Sequence, residues 1–372
     1  MMNEQIKKSS VPDRIRELEE ELSKTKYNKR TQHHIGLVKA RIALLKEKQQ
    51  KRVASKGKST GFSIKKSGDA TVIIVGFPSV GKSTLLNALT KANSKIGHYA
   101  FTTLTCIPGL LEYKHAKIQI LDVPGIVKGA AAGTGRGKEV LAVAQNADLV
   151  ILLIDIFHPM HLEIIKKEVY DTNLRLDKKA PDVKIVKKDR GGIDIGTTVR
   201  LTKLDKKTIE DILREFKLNN AGIVIRENID VDQLIDIIEG HKKYVPSIIV
   251  LNKIDMISHE ELGRINRNVN PDIEVSADKK INIEELKEFI FNKLNFVRVY
   301  CKEIRKKPDM EVPLIMTKGC NLKDFCNKLH RDFTNKFRFA RIWGKSAKFP
   351  GQDIRRLDHK LEDNDIVEVH LD

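Results

Sequence analysis

The chain has 372 residues, 41% of them hydrophobic and 32% charged, with a formal net charge of +18 and a sequence pI near 9.5. That composition describes a globular protein with core material for two or three domains, and no apolar run approaches the roughly 18 residues of a membrane span. The start, MMNEQIKKSS, lacks the apolar core of a signal peptide, so the cytoplasm is the expected compartment, without membrane attachment. The lysine and arginine excess points to a polyanionic partner.

Residues 1–60 carry 16 Lys/Arg against 7 Asp/Glu, so half of the excess charge lies in the first sixth of the chain. The pattern is a basic helical hairpin. Pro12 and Asp13 suit a first helical turn, Ile15, Leu18 and Leu22 recur on one face, and Ile35, Val38, Ile42 and Leu45 form a second apolar series after a polar break. Two short helices bury only a narrow seam, so the hairpin is expected to lean on a neighbouring domain or a partner. Gln49 to Gly61 has the composition of a linker.

From residue 62 to about 165, apolar strand-like runs alternate with helical patterns, which argues for a mostly parallel α/β sheet. The run Val72 to Val75 leads into GFPSVGKST, Gly76 to Thr84, with Leu85, Leu86, Ala88 and Leu89 following at helical spacing. This is the pattern of a phosphate-binding loop. Glycines let several backbone N–H groups converge on one anion, the lysine adds a point charge, and the serine hydroxyl can ligate Mg²⁺. Gly76, Pro78, Ser79, Val80, Gly81, Lys82, Ser83 and Thr84 are therefore candidate nucleotide contacts.

Some forty residues on, Ile118 to Val123 reads as a strand that ends in the DVPG motif, Asp122 to Gly125. An acid there reaches Mg²⁺ through water, and the glycine N–H meets a γ-phosphate. Between the two motifs, Phe101, Thr102 and Thr103 lie in a loop where a threonine hydroxyl could close over metal and phosphate, Thr103 being preferred. After the strand Leu149 to Ile154 and Asp155, a helix-like stretch runs from about Met160 to Leu176. The strand Ser247 to Leu251 then enters Asn252, Lys253, Ile254 and Asp255. The NKxD carboxylate accepts both N1–H and the N2 amino group of guanine, which adenine does not offer, so the nucleotide is read as GTP. Ser276 and Ala277, after the short strand Ile273 to Val275, stand where a backbone N–H would meet the guanine O6.

The interval from Asp155 to Asn252 is too long for one βαβ crossover. An α+β subdomain, about 178–230, accounts for it, with VKIV and AGIVI as strands, a glycine pair at Gly191 and Gly192, and a helix through Ile209, Ile212, Leu213 and Phe216. Residues 296–372 form a further small mixed-sheet unit with 17 basic and 12 acidic residues. Its strand-like Val297 to Tyr300 and Pro313 to Met316 precede a helix through Leu322, Phe325, Cys326 and Leu329, and Phe337 to Trp343 and Ile366 to His370 follow. In Phe337, Arg338, Phe339, Arg341 and Trp343, aromatics interleave with arginines. That suits stacking on RNA bases, but the favoured reading is the buried face of a strand. Cys106, Cys301, Cys320 and Cys326 have no metal-ligand spacing and read as ordinary thiols.

Together GFPSVGKST, FTTLT, DVPG, NKID and SAD, with the extension GIVKGAAAGTGRG from Gly125 to Gly137, resemble the Obg-type GTPases and within them the developmentally regulated GTP-binding protein (Drg) branch. The resemblance covers essentially the whole chain. It implies an α/β P-loop GTPase G domain over 61–295 behind the hairpin and linker of 1–60, with the inserted α+β subdomain and a C-terminal ubiquitin-like β-grasp (TGS) domain over 296–372. It assigns Lys82 to the phosphates, Ser83, Thr103 and Asp122 to Mg²⁺, Asp122 and Gly125 to the γ-phosphate side, and Asn252, Lys253 and Asp255 to guanine. Lys82, Thr103 and Gly125 would be the catalytic set. It also implies a link to ribosomes and translation, and in eukaryotic relatives a separate regulatory protein.

Ile126 follows DVPG where Ras-like enzymes place a water-orienting glutamine, so intrinsic hydrolysis is expected to be slow. Related translational GTPases use K⁺ in place of an arginine finger, often held by a P-loop asparagine, a position that is Ser79 here; Arg136 is an internal alternative, though a structural arginine is the favoured reading. Two readings follow: a slow GTPase switch acting on the ribosome or RNA, or an RNA-binding scaffold in which nucleotide is structural. A third, an ATPase, requires that Asp255 not set the base.

Overall fold

The computed structural model describes residues 10–26, 28, 30–55, 68–90, 107–122 and 146–372, which form two compact units. Thr103, Gly125, Ile126, Arg136, Cys106 and the glycine-rich extension lie outside the described residues.

One unit contains the described parts of 68–172 and 245–372. Its six-stranded sheet runs in the order Ile273–Glu274, Ser247–Asn252, Leu149–Asp155, Ala70–Val75, Ala116–Asp122, Ile107–Tyr113. All neighbours are parallel except the last pair, so the sheet is mostly parallel, as expected. Ala70–Val75 and Leu149–Asp155 are buried at every position, which is why they read as continuous apolar runs rather than alternating ones. Register aligns Asp122 with Ile74 and Asn252 with Asp155. All the motif-bearing strand ends therefore lie at one carboxyl edge, where the sheet's strand order reverses about Ala70–Val75. Helix Lys82–Leu89 buries Leu85, Leu86 and Leu89 against the sheet. Gly109 permits the close approach, since a Cβ there would lie 2.6 Å from the Thr90 methyl. The helix expected over Met160 to Leu176 is shorter, His161–Asp171, because Asn173 takes a φ of 68° and the chain continues as the strand Leu174–Leu176.

The C-terminal part of this unit is a five-stranded sheet in the order Leu314–Thr317, Phe296–Cys301, Asp365–Leu371, Phe337–Trp343, Gln352–Ile354. Its parallel central pair is flanked by antiparallel strands, the β-grasp arrangement of a TGS domain. Helix Leu322–Leu329, capped reciprocally by Asn321 and Asp324, sends Leu322 and Phe325 into a core with Val297, Val299, Ala340, Ile342 and Val367. Of the aromatics in Phe337–Trp343, only Phe337 packs against that core. A register shift between Phe337 and Phe339 leaves Ala340 and Ile342 as the core residues and puts Phe339, Arg341 and Trp343 on the opposite face, where Phe339 stacks on His370 at 4.2 Å.

The second unit contains the described parts of 10–55 and residues 173–244. Helix Val11–Lys24 opens with a Ser10–Asp13 capping box and packs Ile15 against Val38 and Ile42, flanked by Leu18, Leu22 and Leu45. Helix Gln32–Ser55 runs well into the stretch read as linker, whose Gln, Lys, Arg and Ala residues are good helix formers. The hairpin leans on the inserted subdomain: Ala40 is fully buried in a core with Ile209, Ile212, Leu213 and Leu234. Arg41 donates to Glu215 at 2.8 Å and Lys39 to Asp232 at 2.7 Å. The subdomain is α+β, a sheet ordered Val183–Lys187, Ala221–Ile225, Ile193–Thr197 with helices Lys206–Glu215 and Val231–Glu239. Strand Ile193–Thr197 and the second helix extend beyond the elements read from the sequence. A buried ion pair, Arg175 to both oxygens of Asp236 at 2.6 Å, ties strand Leu174–Leu176 to that helix.

Candidate functional site

The loop from Gly76 to Gly81 leaves the end of strand Ala70–Val75 and folds over the sheet edge, and two glycines make this possible. A Cβ on Gly76 would lie 2.6 Å from the Leu153 carbonyl oxygen, and Gly81, at φ 97°, leaves only 2.5 Å to the Asn252 amide nitrogen. Gly81 caps helix Lys82–Leu89 without a side-chain hydrogen bond, so no side chain competes for the helix N-terminal N–H groups. Lys82 Nζ sits inside the loop, donating to the carbonyls of Gly76 and Phe77 at 3.1 Å each.

Ser83 Oγ lies 3.3 Å from Asp122 Oδ2, which brings the two expected metal ligands together. Asp122 is buried, and its Oδ1 has no hydrogen-bond partner among the described residues. Burial pushes the Asp122 pKa above the usual carboxylate value, against the opposing pull of Lys82 and the Ser83 hydroxyl. A buried acid with an orphaned oxygen beside a hydroxyl, both hard oxygen donors, fits a divalent cation of the Mg²⁺ type. No group of three or more His, Cys, Asp or Glu forms a metal cluster among the described residues.

The NKID segment closes on the loop from the other side. Asn252, 2% exposed, donates from Nδ2 to the Val80 carbonyl at 2.9 Å and accepts at Oδ1 from the Ala277 N–H at 3.0 Å, so one side chain ties three motifs together. Lys253 Nζ donates to the Ser79 carbonyl at 2.8 Å. Asp255 stands exposed on the turn Ile254–Met256, free to receive a ligand edge. Ser276 and Ala277 follow strand Ile273–Glu274; the Ser276 N–H donates to the Ile281 carbonyl at 3.2 Å, and the Ala277 N–H is engaged by Asn252. Pro78 and Thr84 are part of the same loop and first helical turn.

Sequence reasoning missed Asp155. Its carboxylate bridges His158 and Lys253, at 3.0 and 3.2 Å. Burial alone would raise its pKa, but the hydrogen bonds and charges of His158 and Lys253 bring it below the usual value. The available signal was an acid ending a strand that neighbours the NKID strand.

The sequence profile described as "50S ribosome-binding GTPase" matches residues 71–188, that of the C-terminal region of the same domain matches 190–296, and the TGS domain profile matches 298–371. The chain is 53% identical to an uncharacterized GTP-binding protein of Methanocaldococcus jannaschii, covering 96% of this chain and 92% of that one. It is 42% identical to developmentally-regulated GTP-binding protein 1 of Xenopus laevis (96% and 98% covered) and 40% identical to developmentally-regulated GTP-binding protein 2 of Homo sapiens (96% and 99%). With a P-loop G domain, a TGS domain and relatives matched along their whole length, the chain belongs to the developmentally regulated family of GTP-binding proteins.

Proposed function

We propose that this GTP-binding protein hydrolyses GTP to GDP and phosphate as a slow, Mg²⁺-dependent switch acting on ribosomes or RNA. The observation that carries the reading is the convergence of Lys82, Ser83, Asp122 and the Asn252–Asp255 segment at one sheet edge, with three motifs clamped through Asn252. Lys82 has one donor beyond the two given to the loop carbonyls, which β- and γ-phosphate oxygens would engage. The uncapped helix N-terminus adds its N–H groups, and Asp255 accepts the guanine N1–H and amino group. Ser83, with Asp122 behind it, would hold Mg²⁺, which would supply charge neutralisation at the phosphates. Thr103 and Gly125 would complete the metal and γ-phosphate contacts as switch elements.

Slowness follows from Ile126, which cannot orient water. K⁺, a ribosomal group or a regulatory protein would then supply what is missing. The charge of +18 and the "50S ribosome-binding" description of the matched family support a ribosomal or RNA target. GTP turnover by purified protein, in K⁺ or Na⁺ buffer and with or without ribosomes, tests this reading. Stimulation by either addition is expected, with Lys82→Ala lowering the rate at least ~100-fold. Equal binding to RNA with GTP, GDP or neither, and no stimulation by ribosomes, would replace the switch by a scaffold.

A further inference from the structure

Two residues of the phosphate-binding loop, Phe77 and Ser79, are held from outside the loop by a chain of contacts that closes on itself. Phe77 stacks on His161, with ring centroids 3.9 Å apart, and His161 stacks on His158 at 4.8 Å and 5°. His158 grips Asp155 Oδ1 twice, through its backbone N–H and its ring Nδ1, both at 3.0 Å. The other carboxylate oxygen meets Lys253 Nζ at 3.2 Å, and Lys253 returns to the loop by donating to the Ser79 carbonyl at 2.8 Å. The circuit thus begins and ends two residues apart.

Backbone geometry at its closing bond is unusual. Ser79 has φ 65° and Lys253 has φ 68°, the left-handed region that non-glycine residues avoid. Two such residues meet ammonium to carbonyl, so something must hold the lysine there. Lys253 is 25% exposed, which lets its ammonium leave for water unless an anion anchors it; Asp155, with a side chain 9% exposed, is that anion. Each of its oxygens meets one of these partners, Oδ1 the His158 donors and Oδ2 the Lys253 ammonium.

We propose that Asp155 is a positioning residue for guanine-nucleotide retention: braced by His158, it pins Lys253 to the Ser79 carbonyl and so makes the phosphate-binding loop and the NKID segment one rigid piece. This rests on the reading of the edge as the GTP site. Because the phosphates are held by the loop and the base by the NKID segment, slippage between them lowers the affinity of the whole nucleotide while leaving each group's own contacts intact.

The test is release of a fluorescent methylanthraniloyl-GDP from the full-length chain and from Asp155→Asn, Lys253→Met and the double variant. Asp155→Asn is expected to speed release about 10-fold, equivalent to ~1.4 kcal/mol. The KM for GTP should rise by a similar factor, a change that kcat does not follow. In the Lys253→Met background Asp155→Asn should add nothing, since its effect passes through the ammonium. His158→Ala, at a side chain 59% exposed and so tolerant of change, provides a second probe: about 3-fold faster release, again absent with Lys253→Met. Release within 2-fold of wild type in both variants, or effects that multiply with Lys253→Met, would overturn the inference alone. A wild-type chain that retained no guanine nucleotide would overturn the site reading and the inference with it.

Discussion

Replacing Gly81 with alanine is the sharpest challenge to the proposed architecture, because one methyl group tests both the loop and its clamp. At φ 97° an L-residue pays about 1–2 kcal/mol in backbone strain. The new Cβ would also sit 2.5 Å from Asn252 Nδ2, closer than any real contact. Asn252 must then move, and it is the side chain that satisfies the Val80 carbonyl and the Ala277 N–H in a buried setting. Leaving such groups unpaired costs a further ~1–3 kcal/mol. The sum is roughly 2–5 kcal/mol, to be shared between folding stability and nucleotide affinity. Urea unfolding of the nucleotide-free protein and titration with fluorescent GDP divide it. If most falls on binding, affinity drops at least ~30-fold; if most falls on folding, the midpoint shifts while m is preserved. Gly81→Ala with affinity within 3-fold of wild type and an unchanged midpoint would refute the claim that the glycine and Asn252 form one clamp.

Asp122→Asn is expected to stabilise the nucleotide-free, metal-free protein while abolishing turnover. Because burial raises the folded pKa of Asp122 above its unfolded value of 3.8, the folded state binds the proton more tightly, and this contribution is lost as pH rises through the folded pKa. At pH 7 the ionised group is a standing penalty, and removing it should gain about 0.5–2 kcal/mol, read as a higher Tm at pH 7 that shrinks toward acid pH. A lower Tm for the variant would contradict the burial argument. In the other unit, Arg175→Met should destabilise by about 3–5 kcal/mol by leaving Asp236 charged, buried and alone, whereas Arg175→Met with Asp236→Leu should recover most of that loss. Urea unfolding of both variants checks the pair, and a single-variant loss below 1 kcal/mol would mean the bridge is not the tie it resembles.

How much of this was legible beforehand depended on how local each signal was. The loop, DVPG and NKID could be placed from spacing because a phosphate, a metal and a base edge each need a few residues contiguous in the chain, and buried parallel strands leave unbroken apolar runs beside them. The hairpin seam of Ile15, Val38 and Ile42 followed equally from helical periodicity. Strand Ile193–Thr197 escaped notice because, in five residues with a glycine among them, it carries little period-2 signal.

The bare sequence therefore supplied the candidates: a phosphate-loop pattern, a carboxylate at a strand end, the NKID acid and a basic helical arm. The folded chain alone decided how these parts hold one another. Lys253 reaches a carbonyl 174 residues away, Asn252 reaches one 172 away, Asp155 braces a lysine 98 residues on, and a register shift chose which face of Phe337–Trp343 is buried. Such contacts depend on strand order and register, which arise from packing the whole sheet. No local pattern records them, because each residue's intrinsic preferences are the same whichever distant partner it meets.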